Sequence, residues 1–472
     1  MKAKRVAQIS GPALAALTWW AAAQWGAPED MVRVLSAAVW VLVWWVSEAV
    51  PLGVTSVLPL VLFPTLGVAD VSTTAAPYGS KFVFLFMGGF LIALALERWN
   101  LHRRFALHIL VAAGGQPRRL LAGFMVATAA LSMWISNTAT TLMMLPIALS
   151  VLSKINLDDH PRFPVALLLG TAYAANLGGI ATLVGTPPNV AMAGLVEEVG
   201  LEVPFLEWSM MALPFSALML ALVYVLLTRV LCRVSSDPLE GGAEALRGEL
   251  EVLGGWSQAE RRVAWLFGAT ALLWVARRAL VTHLGMPLND TTIAMAAGLA
   301  LFVLPSGAER EGALLAWTDT ARLPWDILLL FGGGLTLAGQ LNDAGVLDAV
   351  AEAVSSLPAM SPSLLIAGFV LVSLFLTEVM SNLALTMVMV PVVAQIALSW
   401  DMNPLLLVVP VTMASSCAFM LPMATPPNAI VFGSGRLRMS TMVRVGGVLN
   451  LVAAAMAWLW ACWILPSWVQ LL

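Results

Sequence analysis

The fold class this sequence predicts is an all-α polytopic membrane protein, and three observations predict it. Of 472 residues, 60% are hydrophobic and 11% are charged, against about 45–50% and about 25% in an ordinary globular chain. Several charge-free stretches run well past the length of a membrane span. The chain also divides at one polar segment into two halves that carry the same motifs in the same order. Composition excludes other classes as well. With 24 Lys and Arg against 27 Asp and Glu, net -3, no extended basic face can form and no nucleic-acid partner is expected. Cys232, Cys417 and Cys462 lie far apart in apolar sequence, without metal-ligand spacing, and read as small buried hydrophobes.

A helical span needs about 20 apolar residues. Lys2, Lys4 and Arg5 precede an apolar run to Trp25. This outline resembles a signal peptide with Ala21 to Ala23 as a cleavage region, but the further spans favour an uncleaved first helix, 8–25, with a cytoplasmic N-terminus. Spans at 32–47, 51–68 and 82–97 follow, then a hairpin at 118–152, a broken helix at 163–196 and a span at 209–232. Ser235 to Arg262, polar and flanked by Arg229, Arg233, Arg261 and Arg262, reads as a cytoplasmic linker. Beyond it come 263–281, 290–304, 324–340, a hairpin at 362–400, a broken helix at 403–433 and 441–465. The sum is about eleven transmembrane helices plus two re-entrant hairpins. The breaks follow from length. Leu120 to Ser153, Phe163 to Val196 and Met402 to Gly435 are free of Asp, Glu, Lys, Arg and His, and as continuous helices each would reach about 50 Å, far beyond a core about 30 Å thick. Ser136-Asn137-Thr138 sits midway along the first, where a hairpin tip would lie at mid-membrane.

The halves repeat each other. At an offset of 245, Leu85, Phe86, Gly88, Gly89 and Ala93 match Leu330, Phe331, Gly333, Gly334 and Ala338. The same offset matches Ser136, Asn137, Ala139, Thr141, Met144 and Pro146 to Ser381, Asn382, Ala384, Thr386, Met389 and Pro391. An offset of 239 aligns Thr186-Pro187-Pro188-Asn189 with Thr425-Pro426-Pro427-Asn428. By parity, one unit starts outside near Ala27 and the other from the cytoplasmic linker, so the repeats are inverted. Inverted repeats with discontinuous helices are an architecture of secondary transporters, which hold ligands at the breaks.

Broken backbone at membrane depth must be buried or line a polar cavity. Ser136-Asn137-Thr138 and Ser381-Asn382 bring hydroxyls and amides, and the Thr-Pro-Pro-Asn breaks free carbonyls. Neutral oxygens suit sodium, while half-helix N-termini suit an anion. The Gly88-Gly89 and Gly332-Gly333-Gly334 runs read as close-packing sites, and the Trp residues as interface belt or packing. Glu48 and Glu378 are intramembrane acids that carry a proton or brace the fold, with bracing preferred. Lys81 and Asp326 occupy equivalent helix starts at the membrane interface.

These residues resemble the divalent anion/sodium symporter family of sodium-coupled dicarboxylate, citrate and sulfate transporters. SNTATT at 136–141, SN at 381–382, GTPPN at 185–189 and ATPPN at 424–428 carry the resemblance, which spans nearly the whole chain. It implies a homodimeric elevator in the cell membrane, with sodium as coupling ion, no cofactor, and small anions, sodium and lipids as partners. It further implies a first helix at 1–26 and repeat one at 27–234, with scaffold helices 27–112 and a transport part 118–234. The linker, 235–262, would separate this from repeat two at 263–472, with scaffold helices 263–355 and a transport part 362–472. One sodium site would use Ser132, Ser136, Asn137 and the Gly185 backbone; the other Thr377, Ser381, Asn382 and the Ala424 backbone. Asn137, Thr138 and Asn382, with Thr186, Thr425 and Pro426, would meet the anion. Leu383 departs from the symmetric pattern, replacing the second Thr, so one anion-facing hydroxyl is absent.

Import of a C4-dicarboxylate is the leading expectation, with citrate or sulfate next and sodium-independent anion exchange as the alternative. A channel with re-entrant loops fits two inverted units less well. An intramembrane enzyme is disfavoured because His102, His108, His160 and His283 all fall outside the long charge-free runs and neither HExxH nor GxSxG occurs.

Overall fold

The computed structural model describes residues 2–470 apart from 156–158, 238, 240–241, 309–310 and 356–360. The first half comprises α1 (Lys2–Gln24), α2 (Glu29–Ser47), α3 (Leu52–Ser56), α4 (Pro59–Thr65), α5 (Val71–Ala75), α6 (Lys81–Arg98) and α7 (Leu101–Ala113). The hairpin α8 (Pro117–Ser132) and α9 (Asn137–Lys154) follows, then the broken pair α10 (Phe163–Ile180) and α11 (Pro187–Glu197), and α12 (Phe205–Val225), which ends in a π-helical turn at Leu226–Leu231. Beyond α13 (Gly242–Val252), the second half contains α14 (Gln258–Leu284), α15 (Asp290–Val303), α16 (Trp325–Asp343) and α17 (Val346–Ser355). Its hairpin is α18 (Pro362–Leu376) and α19 (Asn382–Ser399), its broken pair α20 (Leu405–Ser415) and α21 (Pro426–Gly433), and it closes with α22 (Met439–Trp463) and α23 (Leu465–Val469).

Local chemistry sets the breaks. Pro117, Pro187 and Pro426 each occupy the first position of a helix, where a missing N–H costs nothing. Ser136 accepts the Ala139 N–H and caps α9, and Thr425 accepts the Asn428 N–H and caps α21. The first hairpin and both broken helices therefore form where the charge-free runs are interrupted, as expected, and the second hairpin breaks at the matching Ser381-Asn382.

The two halves interlock. Helix α10 is buried along nearly its whole length and packs against both arms of the α8–α9 hairpin; α20 does the same with α18 and α19. The short second arms cross over. Helix α11 lies on α19, and α21 lies on α9. Each half thus closes the other's hairpin, which brings all four breaks to one place. The glycine runs are packing sites: a Cβ on Gly88 would sit 2.6 Å from the Ala294 backbone in α15, and one on Gly333 would sit 2.2 Å from the Ser56 carbonyl oxygen.

The structure corrects four readings. Residues 51–68 are not one span, because Pro59 lacks the N–H that would join α3 to α4. The linker at 235–262 is not a simple loop; it contains α13, and α14 begins at Gln258 rather than at 263. Arg104 fastens this linker, donating from Nε to Glu260 at 2.7 Å and from its other nitrogens to the carbonyls of Leu253, Gly254 and Gly255. Helices α7 and α17 join the span before each hairpin to the hairpin itself. A polar His-Arg-Arg run in α7 hides it from a search for apolar stretches. A short antiparallel pair at Pro305–Ala308 and Glu311–Ala313 follows α15. The boundary expected between 355 and 362 falls largely on 356–360, outside the described residues.

Candidate functional site

A cavity of about 620 Å³ lies where the breaks meet. Ser136, Asn137 and Thr138 line it from the first hairpin, and Ser381, Asn382 and Leu383 from the second. Gly185, Thr186 and Pro187 face it from one broken helix, and Ala424, Thr425 and Pro426 from the other. Four helix N-termini, those of α9, α11, α19 and α21, therefore border one space; α9 and α19 bring backbone N–H groups to it, whereas α11 and α21 begin with Pro-Pro, which has none, and contribute only the positive end of the helix dipole.

The two hairpin tips have matching geometry. Ser132 Oγ donates to Asn137 Oδ1 at 2.6 Å; Thr377 Oγ1 lies 2.7 Å from Asn382 Oδ1 and 2.5 Å from the Ser415 carbonyl oxygen, and shares its one proton between them. Ser132 and Thr377 are fully buried behind the asparagines and do not line the cavity themselves. Each pair sets two neutral oxygens side by side, a grouping that suits a hard monovalent cation. With Oδ1 engaged from behind, each asparagine keeps its NH₂ without an acceptor among the described residues. Helix α10 comes close enough to support this arrangement because residue 179 is glycine: a Cβ there would sit 2.5 Å from Asn137 Oδ1.

All the sequence-derived site residues converge, but the motif asparagines have a role that reading missed. Asn189 Nδ2 donates to the carbonyls of Gly179, Ile180 and Thr182, and Asn428 Nδ2 to those of Ala418 and Leu421. Both are wholly buried and hold the broken backbone in shape. Asn176, also buried, reaches across to the other half and donates to Thr425 Oγ1 at 3.2 Å. The recurrence of Asn189 and Asn428 at the end of the duplicated motif was the available signal.

Glu378 braces the second break. Its Oε1 accepts the N–H groups of Phe419 and Met420, both at 2.9 Å, and the Asn450 amide at 2.7 Å. Its Oε2 accepts the Leu421 N–H at 2.8 Å. The cavity mouth is different in character: Lys4, Glu48 and Asp326 line it, and all three are exposed. On another side Lys81, at the start of α6, pairs at 2.7 Å with Glu197 at the end of α11.

Four half-helix ends around one cavity that carries the motif hydroxyls and amides, closed reciprocally by two helical hairpins, define a membrane transporter built on paired repeats. Its sequence carries the matter further, since the sodium:sulfate symporter transmembrane region matches residues 5–471. The chain belongs to that family and is a transporter, not an enzyme. Among its relatives are sodium-dependent dicarboxylate transporters named SdcS. The one from Staphylococcus saprophyticus is 36% identical over 98% of this chain and 91% of its own length. The one from Staphylococcus aureus strain USA300 is 36% identical over 93% and 88%. Two solved structures share the fold at low identity. MtrF of Neisseria gonorrhoeae has a TM-score of 0.60 at 13% identity, covering 84% of each chain. The YdaH transporter of Alcanivorax borkumensis has a TM-score of 0.55 at 14% identity, covering 84% of this chain and 88% of its own.

Proposed function

We propose that this protein imports a divalent anion together with sodium, with a C4-dicarboxylate as the first candidate and citrate and sulfate next. One observation carries the reading. The cavity offers hydroxyls, amides and helix ends for an anion, yet its lining contains one Lys, at the mouth, beside two acids. A dianion there needs its charge met by something other than the protein, and the oxygen pairs Ser132–Asn137 and Thr377–Asn382 suit the cations that would meet it. One sodium would sit with Ser132, Ser136, Asn137 and the Gly185 carbonyl, the other with Thr377, Ser381, Asn382 and the Ala424 carbonyl. The anion would lie between Asn137, Thr138 and Asn382, with Thr186, Thr425 and Pro426 beside it. The names of the SdcS relatives support sodium and dicarboxylate together.

The cycle we propose is an elevator in a homodimer. Scaffold helices in 27–112 and 263–355 stay fixed while the transport parts, 118–234 and 362–472, carry the site across. With Lys2, Lys4 and Arg5 in the cytoplasm, the mouth lined by Lys4, Glu48 and Asp326 opens inward. Uptake of succinate, malate, citrate and sulfate into proteoliposomes, each with and without a sodium gradient, tests this reading. Saturable accumulation driven by sodium is expected. Equal uptake in sodium and choline buffers at one pH would remove sodium coupling, and uptake that requires an internal anion would establish exchange instead.

A further inference from the structure

One buried residue of the first half reaches into the second and has no equivalent there. Asn176 lies on α10 with no surface exposed, and both it and Thr425 border the cavity. Its Nδ2 donates to Thr425 Oγ1 at 3.2 Å and to the Ala418 carbonyl at 3.4 Å. The amide cannot turn over, since that would set its oxygen against the Ala418 carbonyl oxygen. Its Oδ1 has no partner among the described residues. A buried oxygen left unpaired costs more than an apolar side chain of the same shape would, so holding the two halves together does not by itself account for an amide here.

The consequence falls on Thr425. A hydroxyl has one proton to donate and two lone pairs with which to accept. Both lone pairs of Thr425 Oγ1 face N–H donors, the Asn176 amide at 3.2 Å and the Asn428 backbone at 3.4 Å. Neither nitrogen can accept, so the Thr425 proton must point away from both, and no group among the described residues takes it. Because Thr425 lines the cavity, its proton is committed to what occupies that space. The other half lacks this device. At the offset of 239, Thr186 corresponds to Thr425 and Ser415 to Asn176. Helix α11 begins without a side-chain cap from Thr186, and the Ser415 hydroxyl turns instead to the Thr412 carbonyl at 2.7 Å.

We propose that Asn176 is a positioning residue for the anion: by filling one lone pair of Thr425 Oγ1 from behind, it turns the Thr425 hydroxyl into a dedicated donor to a substrate carboxylate. This rests on the anion site of the proposed function and adds to it a residue that acts on the anion through Thr425.

The test is a double-mutant cycle on the purified full-length protein. Succinate affinity is read by calorimetry in saturating sodium chloride for the wild type, Asn176→Leu, Thr425→Val and the double variant. Thr425→Val removes the donor and should weaken succinate about tenfold or more, as for a hydrogen bond to a charged group. Asn176→Leu should weaken it about 2–12-fold while the hydroxyl is present, and should add nothing once Thr425→Val is in place. An equal further loss in the Thr425→Val background would show that Asn176 acts independently of that hydroxyl and would overturn the proposal, as would unchanged affinity in Asn176→Leu. Should Asn176→Leu not fold, Asn176→Ser, too short to reach Thr425, takes its place in the same cycle with the same outcomes. Wild-type succinate affinity in Thr425→Val would remove Thr425 from the anion site, and the proposal with it, while leaving sodium-driven uptake standing. Failure of the wild type to bind succinate, citrate or sulfate would remove the anion site itself, and the functional reading with it.

Discussion

Asn137 and Asn382 lie 245 residues apart in sequence yet face one cavity with the same back-bonded geometry. Each offers an oxygen to a cation and an NH₂ to an anion, whereas Ala offers neither. Asn137→Ala and Asn382→Ala should each cut sodium-driven uptake more than tenfold while the protein elutes as a folded species, which proteoliposome uptake and gel filtration check together. Asn189 and Asn428 should respond differently, because their amides hold backbone rather than ligand. Asn428→Ala removes the bonds to the Ala418 and Leu421 carbonyls, which keep the Asn176 amide and the Ala424 N–H as donors, a loss of about 0.5–1.5 kcal/mol per bond, visible as a lower thermal midpoint even with saturating sodium. Leu383 lines the cavity beside Val379, Met380 and Met423, so the second-half end is more apolar than the end bearing Thr138. Leu383→Thr should strengthen binding of a symmetric dicarboxylate by about 0.5–1.5 kcal/mol, or about 2–12-fold. An unchanged affinity ranking among succinate, citrate and sulfate would remove Leu383 from the binding site.

At the scale of elements, the informative contacts join the wall helices to the hairpin and broken-helix body. Lys81 of α6 reaches Glu197 of α11, and the same two helices pack closely alongside that ion pair: a Cβ on Gly194 in α11 would sit 3.2 Å from the Phe82 ring. At the first hairpin tip, Trp134 stacks on Trp274 of α14 and meets Phe267 of the same helix edge-on. If the hairpins and broken helices travel past α6, these contacts belong to one end of the cycle. A disulfide between Phe82→Cys and Gly194→Cys should arrest uptake, and reduction should restore it. Full turnover with that crosslink verified would count against relative movement of the two bodies. The sequence announced the long apolar helices and the hairpins because their polar interruptions are rare in apolar surroundings. It concealed α7, α13 and α17, whose charged or amphipathic faces resemble loop when apolar length is the criterion. In α7, Arg104 is buried only because Glu260 and three linker carbonyls reach it, a fact no local window contains.

For the whole molecule, the inward-opening reading predicts that a cysteine at Asp326 or Glu48, both at the cavity mouth, reacts with a membrane-impermeant thiol reagent from the cytoplasmic side. Labelling from the outside alone would reverse the orientation. The sequence by itself determined the membrane class, the duplication, the two hairpins and the residues that meet at the site. It could do so because apolar length, helix breaks and repeated Ser-Asn and Thr-Pro-Pro-Asn motifs are local properties of the chain. Tertiary structure alone decided that α11 closes the second hairpin and α21 the first, that Asn189 and Asn428 hold backbone, and that Glu378 gathers three N–H groups from a loop some forty residues away. Those outcomes depend on which distant segments come into contact, and a hydrogen bond or a buried charge acquires its partner only when the chain has packed.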